Sequence, residues 1–422
     1  MRILQVSDLF EPFVGGMEQH VRTLSHGLAE RGHDVAVVTA QLAGTAAEES
    51  IGGCRVRRIT GWYGRVPAGW YAPGHTLCHP PVPDPGVVAA LREIIGRWRP
   101  DVVHAQGWMA YSCLAMPPGR RPALIVTLHD HGYACPRKTL LQDGRTHCPG
   151  PRLGACLRCA PGQYGKLKGA AVTVGLRAFR PLHGRADCWV AISPFAADAS
   201  RQVLPPGAAV TVIPPASAQP PPAGQRPAWL PAGGYLLYAG ALSRHKGLHW
   251  LLDAYATGGF SRPLLVLGSP RTDSPRTWPA GVVVRASVPH EQVMAAWRHA
   301  WTGLVPSLWP EPFGLTAVEA MRSGVPVIAS RAGALPGLVA DGVTGLLVEP
   351  GDTAGLQAAI RRLDREPALR RAMGAAAAAR AAQFSPRVVI TKYEQLYRRI
   401  LADRRGESAK PVTPARGETP SP

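Results

Sequence analysis

Residues 307–330 read SLWPEPFGLTAVEAMRSGVPVIAS and predict a loop, a helix and a strand in direct succession. Prolines on both sides of position 311 favour a loop over residues 310–312. Apolar residues at helical spacing then predict a helix over residues 314–322. Gly324 ends that helix, and the apolar run 325–328 predicts a short buried strand.

Two carboxylates lie in this stretch, Glu311 in the loop and Glu319 inside the helix. The backbone N–H groups of residues 313–316 project from the helix start and would attract an anion. A phosphate bound there would have Glu311 near a sugar on one side and Glu319 near a ribose diol on the other. Because carboxylates accept hydrogen bonds from paired hydroxyls, the pattern fits a sugar nucleotide. The alternative is an ordinary amphipathic helix with Glu319 in solvent.

The segment PEPFGLTAVEAM closely resembles the signature of glycosyltransferase family 4, a retaining family with the GT-B architecture. The resemblance implies an α/β protein with two Rossmann-like, doubly wound domains that face a cleft. It also implies that Glu311 contacts the donor sugar as a catalytic residue and that Glu319 holds the ribose hydroxyls. The donor-binding loop would include Phe313, Gly314 and Leu315.

Length and charge set the broader expectations. The chain has 422 residues, enough for two α/β cores, and a formal net charge of +19 that favours anionic partners. No nucleic-acid-binding module is recognisable, so we expect a phosphorylated or membrane-bound acceptor and no nucleic acid. Neither a signal peptide nor a membrane-spanning apolar run is recognisable. We therefore expect a cytoplasmic protein, or one bound peripherally to the inner face of the plasma membrane.

The N-terminus reads as a strand, a glycine loop, a helix and a second strand. Gly15 and Gly16 lie where the first strand of a doubly wound sheet meets its helix, at the sheet edge where ligands bind. This opening resembles the GG-x-E segment of family 4, which approaches the reacting sugar and the acceptor. Glu18 and His20 follow on the helix, where they either face the acceptor or lie on the surface.

Further donor-site residues follow from the resemblance. His129, at the end of the predicted strand 123–128, matches the family histidine that contacts the donor sugar near the reacting carbon. In the second half, Lys246 matches a family lysine that holds the diphosphate, whereas Ala241 replaces the family arginine. Arg244, in the same loop, is expected to supply the missing charge.

A cysteine-rich segment departs from most of the family. Cys135, Cys148, Cys156 and Cys159 follow the His129-Asp130 pair, and the last two have the C-x-x-C spacing of a metal site. Four thiolates would close a tetrahedral structural site for zinc. An iron–sulfur cluster, free thiols and disulfides are the alternatives. No cofactor is expected in catalysis.

The expected organisation has five parts, with a Cys-rich insertion over residues 132–160. They are an acceptor-side domain 1–204, a linker 205–233, a sugar-nucleotide domain 234–384, a helix 385–403 that returns to the first domain, and a disordered tail 404–422. Residues 41–85 read as loop-rich. A basic helix over 162–185, which has no acidic residue, suits either an anionic membrane or solvent.

The expected reaction is transfer of a hexose from a nucleoside diphosphate to a hydroxyl with retention of configuration. Lys246, Arg244 and the helix start at Gly314 would stabilise the diphosphate leaving group. The acceptor would be a cell-envelope glycan, a glycolipid or a secondary metabolite. A catalytically weakened scaffold, suggested by Ala241, and a sugar-nucleotide epimerase are the alternatives.

Overall fold

The computed structural model describes residues 1–13, 15–65, 79–117, 121–144, 146–217 and 226–406. It contains two α/β domains, each built on a mainly parallel sheet, which confirms the predicted fold class. Fully buried apolar runs such as the predicted strand 123–128 form the sheet centres because helices cover both faces.

The N-terminal sheet has eight strands in the order β10-β9-β6-β5-β1-β2-β4-β3. All neighbours are parallel except β3 and β4. The strands are β1 (Arg2–Ser7), β2 (Asp34–Ala40), β3 (Glu48–Ile51), β4 (Cys54–Ile59), β5 (Val102–Gln106), β6 (Ala123–Leu128), β9 (Cys188–Ala191) and β10 (Val210–Val212). A separate antiparallel hairpin consists of β7 (Leu141–Gln142) and β8 (Thr146–His147).

Seven α-helices belong to the described part of this domain. They are α1 (Gly16–Glu30), α2 (Pro85–Trp98), α3 (Ala110–Leu114), α4 (Leu153–Cys159), α5 (Pro161–Tyr164), α6 (Lys166–Ala178) and α7 (Pro194–Arg201). Short 3-10 helices cover Trp62–Arg65 and Arg180–Arg185. Helix α2 begins at Pro85, because the Asp84 carboxylate accepts a hydrogen bond from the Val87 N–H and caps the helix start.

Two segments contain more sheet than the sequence suggested. The loop-rich segment 41–85 contains β3 and β4, although its residues 66–78 lie outside the described part. The sequence did not indicate β4, because its alternation between buried and outward residues is short and is interrupted by arginines. The predicted linker 205–233 contains β10, so the first sheet extends beyond residue 204.

The C-terminal sheet has six parallel strands in the order β13-β12-β11-β14-β15-β16. They are β11 (Leu236–Ala239), β12 (Leu264–Gly268), β13 (Val282–Ala286), β14 (Thr302–Val305), β15 (Val327–Ser330) and β16 (Gly345–Val348). The helices of this half are α8 (Leu248–Gly258), α9 (His290–His299), α10 (Leu315–Arg322), α11 (Leu335–Leu338), α12 (Thr353–Arg365) and α13 (Pro367–Ala381).

After a 3-10 turn at Ala382–Phe384, the final helix α14 (Pro386–Arg405) packs on the N-terminal domain. Its buried face contacts α1, where Gly27 lies so close that an added Cβ would meet Ile390 Cδ1 at 2.1 Å. The predicted tail lies outside the described residues from position 407 on. Within the described part of the chain, no helix is both long and apolar enough to cross a bilayer.

The two sheets are joined across a cleft at loops that follow their strands. Ser193 Oγ, after β9, donates a hydrogen bond of 2.5 Å to the Pro312 carbonyl. His131 Nε2, after β6, lies 2.9 Å from the Pro310 carbonyl. The loop that carries Glu311 is therefore held by the opposite domain.

Candidate functional site

Glu311 lies in the loop between β14 and α10 and is 5% exposed. Its Oε1 is 2.7 Å from Lys246 Nζ and accepts a 2.5 Å hydrogen bond from Ser307 Oγ. Burial by itself raises the pKa of the Glu311 carboxyl, but the Lys246 ammonium and the Ser307 hydroxyl outweigh it, and the pKa falls below its ordinary value. Glu311 is therefore an anion in a nearly dry position.

The Lys246 loop is shaped by a glycine that no other residue replaces without strain. Gly247 has φ +75, and an added Cβ would lie 1.6 Å from the Pro306 carbonyl oxygen. This close approach brings Lys246 against the Glu311 loop, with its ammonium 4.6 Å from the centre of the Trp309 ring. Lys246 is thus held between an anion and an aromatic face.

Arg244 lies in the same loop, but its side chain is exposed. Its backbone N–H donates to Asp273 Oδ2 at 2.8 Å. The residue lines an open groove of about 730 Å³ together with His249, Asp253 and the segment 272–279, and neither Lys246 nor Glu311 lines that groove. Whether Arg244 reaches a diphosphate stays a prediction.

The helix start predicted to hold an anion begins one residue later than expected, at Leu315. Gly314 precedes it with φ +104, and the N–H groups of Leu315 and Thr316 have no acceptor within the helix. Phe313 is buried against Phe384, with ring centres 5.5 Å apart. These contacts fix the loop, and Glu311 lies four residues before Leu315, the first residue of α10.

Glu319 is buried inside α10 and not in solvent. Its Oε1 is 2.9 Å from Nε2 of His290, the first residue of α9. Burial lowers the pKa of His290, but the hydrogen bond and charge of Glu319 reverse this effect, and the net pKa is raised. Sequence reasoning missed this partner, because a single histidine at a helix start carries no signal of what it contacts.

The glycine loop of the first domain leads into a buried acidic group. Gly15 caps α1 in an extended conformation, and an added Cβ there would lie 2.2 Å from Glu18 Oε2. Glu18 is buried, so the surface alternative was wrong, and burial together with the nearby charge of Asp8 raises its pKa to about 7. Asp130 adds to this rise and Lys138 opposes it.

Gly16 is the first residue of α1, so the Gly15-Gly16 pair forms the predicted turn from loop to helix. Charged groups that follow β1 and β6 act on Glu18 in this neighbourhood. Among them, Asp130 and Lys138 form an ion pair, with 3.6 Å between Oδ2 and Nζ. This neighbourhood, which we call the acceptor edge, contains Asp8, Glu18, Asp130 and Lys138.

His129 follows β6, and its Nε2 donates a 2.5 Å hydrogen bond to Gln106 Oε1. Burial, with a contribution from His104, lowers the pKa of His129 to about 3, so the ring is neutral near pH 7. His20 is 1% exposed, and neither of its ring nitrogens has a hydrogen-bond partner in the described part of the chain. The His20 ring centre lies 5.1 Å from that of His129, so a surface position for His20 was wrong too.

A polar chain connects His129 to the final helix, which no sequence pattern indicated. Gln106 Nε2 donates to Gln5 Oε1 at 2.9 Å, and Gln5 Nε2 donates to the Tyr397 hydroxyl at 3.5 Å. The Tyr397 hydroxyl is also 2.7 Å from His104 Nδ1. Since Gln106 accepts from Nε2, the proton of neutral His129 is on Nε2 and Nδ1 is its acceptor.

The four clustered cysteines lie beside this site. Cys135 is buried, whereas Cys148, Cys156 and Cys159 are partly exposed, and all four are free thiols. Across the described ranges, no group of three or more His, Cys, Asp and Glu side chains is already arranged to hold a metal ion. Of the other cysteines, Cys54, Cys113 and Cys188 are buried, and Cys78 lies outside the described residues.

Comparisons with known proteins agree with this architecture. Residues 14–216 match the model of Glycosyltransferase Family 4, and residues 231–380 match that of Glycosyl transferases group 1. A similar relative is the glycogen synthase of Mycobacterium tuberculosis (strain CDC 1551 / Oshkosh), which is 29% identical, with 96% of each chain covered.

Solved structures share the fold. Sucrose-phosphate synthase from Thermosynechococcus elongatus aligns with a TM-score of 0.72 and 23% identity, over 96% of this chain and all of the other. Anabaena HepE in complex with UDP-glucose aligns with a TM-score of 0.62 and 18% identity, over 94% of this chain and all of the other.

Proposed function

Because the chain belongs to glycosyltransferase family 4, we propose that it moves a hexose from a nucleoside diphosphate sugar to a hydroxyl acceptor with retention of configuration. The observation that carries this proposal is the buried, ionised Glu311, which is paired with Lys246 and lies four residues before the start of α10 at Leu315. One cleft therefore contains a carboxylate that can accept hydrogen bonds from sugar hydroxyls, an ammonium group, and a helix start whose N–H groups can bind an anion.

The donor would lie along α10. Its ribose hydroxyls would bond to Glu319, and its diphosphate would lie against the N–H groups of Leu315 and Thr316 and the Lys246 ammonium. Arg244 would add a further charge if its exposed side chain turns to the phosphates. HepE was solved with UDP-glucose, which supports a uridine diphosphate hexose as the first donor to try.

The transfer would follow from this geometry without a metal ion. The bond from the sugar C1 to the β-phosphate oxygen breaks, and its electron pair stays on the phosphate. The acceptor oxygen forms its bond to C1 on the same face, and the acceptor proton passes to the leaving phosphate oxygen. Lys246 and the helix dipole would stabilise the charge that develops on the diphosphate, and neutral His129 would contact the donor sugar near C1.

The acceptor would enter at the acceptor edge, where Glu18, Asp8 and Asp130 offer carboxyl groups for a polyhydroxylated molecule. A proton on Glu18 near neutral pH would reduce the repulsion among the three acids. Lys138 would provide the one cation of this group for a phosphate on the acceptor.

We further infer that the acceptor is lipid-linked and belongs to the cell envelope, because the first domain carries a basic and apolar surface. Helices α4 and α6 pack together, and Leu167 and Val174, one heptad apart on α6, are 78% and 51% exposed. Leu153 on α4 is 49% exposed. We call this set the apolar patch.

Basic side chains surround the apolar patch. They are Arg152, Arg158, Lys166, Lys168, Arg177 and Arg180. A cavity of about 400 Å³ opens between the helices and is lined by Leu153, Leu176 and Val203 with three of these arginines. Cations around exposed apolar side chains suit an anionic leaflet, to which the protein would bind peripherally.

The function is tested by incubation with UDP-glucose and other sugar nucleotides, together with lipid-linked acceptors from cell envelopes. Wild type should yield a glycoside whose anomeric configuration, by NMR, equals that of the donor, and Glu311→Gln should lose turnover while it still binds UDP. An inverted product would overturn retention. Binding of UDP without any transfer would identify a weakened scaffold, and an interconverted sugar nucleotide would identify an epimerase.

Membrane binding is tested separately with vesicles that contain phosphatidylglycerol. Leu167→Asp should reduce cosedimentation, whereas Val343→Asp, at a valine of the other domain that is 58% exposed, should not. Equal binding of wild type and Leu167→Asp, or equal binding to neutral vesicles, would contradict the proposed surface.

A further inference from the structure

The four clustered cysteines meet at one cavity. Cys135, Cys148, Cys156 and Cys159 all line a void of about 20 Å³, whose other walls include Ala134, Pro136, Leu141 and Ala155. They come from three places in the chain: the loop after β6, the residue that follows hairpin β7–β8, and two positions about one turn apart on α4. The void has room for one water-sized occupant, and a water molecule needs several polar partners. Thiols are weak hydrogen-bonding groups, so the void suits a bound ion better than water.

Backbone N–H groups are directed at two of the sulfurs. The Asp143 N–H donates to Cys159 Sγ at 3.2 Å. The N–H groups of Arg137, Thr139 and Leu140 interact with the Cys135 sulfur. Backbone N–H groups in these positions could remain as outer contacts to sulfurs that hold a metal ion.

The chain around Cys135 takes an unusual path to bring these donors inward. Lys138 and Leu140 are non-glycine residues with φ of +63 and +50, whereas Asp143, with φ +52, lies in the hairpin turn, where positive φ is ordinary. Left-handed backbone at Lys138 and Leu140 costs free energy and persists where the surroundings fix it. The hairpin that follows is only two residues per strand, too small to fix it alone.

Arginines balance the charge that four thiolates would bring. A zinc ion with four thiolates has a net charge of −2. The Arg137 Nη1 lies 3.9 Å from Cys159 Sγ, and Arg152 lines the same cavity. One arginine therefore lies next to a sulfur, and a second lines the same cavity.

We propose that Cys135, Cys148, Cys156 and Cys159 bind one zinc ion as a closed structural site. The thiols release four protons as the ion binds, and no oxidant or reductant takes part. The Cys148 and Cys159 thiols point to the carbonyls of Gly150 and Leu141, at 3.4 and 3.8 Å. Ion binding replaces these weak contacts and draws the four sulfurs together.

The site fixes a segment that reaches the cleft. Cys135 is four residues beyond His131, which contacts the Pro310 carbonyl beside Glu311, and three residues before Lys138 of the acceptor edge. Loss of the ion should therefore loosen both contacts from the side of the first domain. This consequence for acceptor use depends on the proposed function, whereas the metal site does not.

The test is metal analysis of the full chain purified under reducing conditions without added metal. Inductively coupled plasma mass spectrometry should find one zinc ion per chain in wild type. Cys156→Ala/Cys159→Ala should lose it, and the matched control Cys54→Ala/Cys188→Ala, at buried cysteines outside the cavity, should keep it. UDP binding by all three proteins shows that the C-terminal domain is folded.

A second measurement uses wild type alone, so it tests the site even if the double variant fails to fold. A zinc chelator should make residues 132–160 sensitive to trypsin, zinc should restore protection, and cobalt should give thiolate-to-metal charge-transfer absorption. Four freely alkylated thiols with no metal overturn the site, as do two disulfides detected by alkylation after reduction. Iron with sulfide in place of zinc overturns the assigned ion.

Discussion

Glu311 shows how single side chains decide this site. Its charge persists in a buried position because Lys246 and Ser307 both contact Oε1, and the two contacts outweigh the cost of burial. The pKa of Glu311 is lowered, so the stabilisation from this pair is present above the ordinary pKa of 4.5 and is lost only as the pH falls through the lower folded value. The pair is therefore intact across the neutral range.

Glu319 is expected to provide ribose contacts. Glu319→Ala should weaken UDP binding by about 1.5–3 kcal/mol, because hydrogen bonds to a charged group are lost. Isothermal titration calorimetry measures the loss, with Glu366→Ala, at an exposed glutamate of the same domain, as the control. Unchanged UDP affinity in Glu319→Ala would show that the His290 contact is the whole role of this carboxylate.

Arg244 is expected to replace the charge that Ala241 does not supply. Arg244→Ala should weaken UDP binding by about 1.5 kcal/mol and uridine binding hardly at all, because only UDP carries the diphosphate. The exposed Arg271 of the neighbouring loop gives a matched control in Arg271→Ala. Equal losses for UDP and uridine would mean that Arg244 acts on the fold of the loop.

Glu18 should make stability depend on pH. Its folded pKa of about 7 exceeds the ordinary 4.5, so the folded state holds the proton more tightly and the free energy of unfolding falls as the pH rises from 4.5 to 7. The total fall is about 3 kcal/mol. Urea unfolding of Glu18→Gln at several pH values should lack this fall, whereas Glu30→Gln, at the exposed end of the same helix, should keep it. Parallel profiles for wild type and Glu18→Gln would exclude a raised pKa.

At the scale of elements, helix α14 supplies more than an apolar face. Its Tyr397 hydroxyl is the last member of the polar chain through Gln5 and Gln106 to His129. A side chain near the end of the sequence therefore influences which nitrogen of His129 carries the proton. Tyr397 is a positioning residue in this arrangement, since it contacts His129 only through the two glutamines.

Tyr397→Phe should lower kcat roughly tenfold, the equivalent of one hydrogen bond of about 1.4 kcal/mol. UDP affinity should not change, because the proposed donor site on α10 is far along the chain from this substitution and keeps all its side chains. Tyr393→Phe is the matched control, because the Tyr393 hydroxyl is buried on the same helix and is not part of the chain from Gln5 to His129. Steady-state kinetics with separate UDP calorimetry tests this, and an equal effect of both substitutions would point to packing.

At the scale of the whole molecule, the last helix packs on the domain that comes first in the sequence. Helix α14 follows the C-terminal domain in sequence, but its apolar residues complete the core between α1 and the first sheet. That core contains Val389, Ile390, Tyr393, Leu396, Tyr397 and Ile400. The Arg31–Glu394 ion pair, 3.0 Å between Nη1 and Oε2, adds a contact at its edge.

In a chain that ends after residue 385, the N-terminal domain should therefore be unfolded. Six buried side chains contribute about 10 kcal/mol, which is comparable to the stability of a whole domain. Calorimetry should show that the transition of the first domain is gone, whereas a chain that ends after Gly406 should melt like wild type. A shortened chain with both transitions intact would contradict a core shared with α14.

Part of the candidate donor site could be predicted from the sequence. Glu311, Gly314 and Glu319 lie in one contiguous segment whose turn and helix start follow local rules. Their expected roles, and the assignment of the distant Lys246 to the same site, came from the resemblance to glycosyltransferase family 4. The parallel sheets could be predicted too, because buried apolar runs alternate with amphipathic helices in both halves. The glycines at positions 247 and 314 mark turns, because the backbone there has the positive φ that glycine adopts without strain.

Only the tertiary structure decided what lies across a gap in the sequence. The contacts of His131 with Pro310, of His290 with Glu319, and of Tyr397 with Gln5 join segments that no local pattern relates. The burial of Glu18 and His20 could not be read from one helix, because it depends on which elements cover that face. Long-range packing sets burial, burial sets the pKa of each group, and the charge of each site residue therefore becomes known only when the chain has folded.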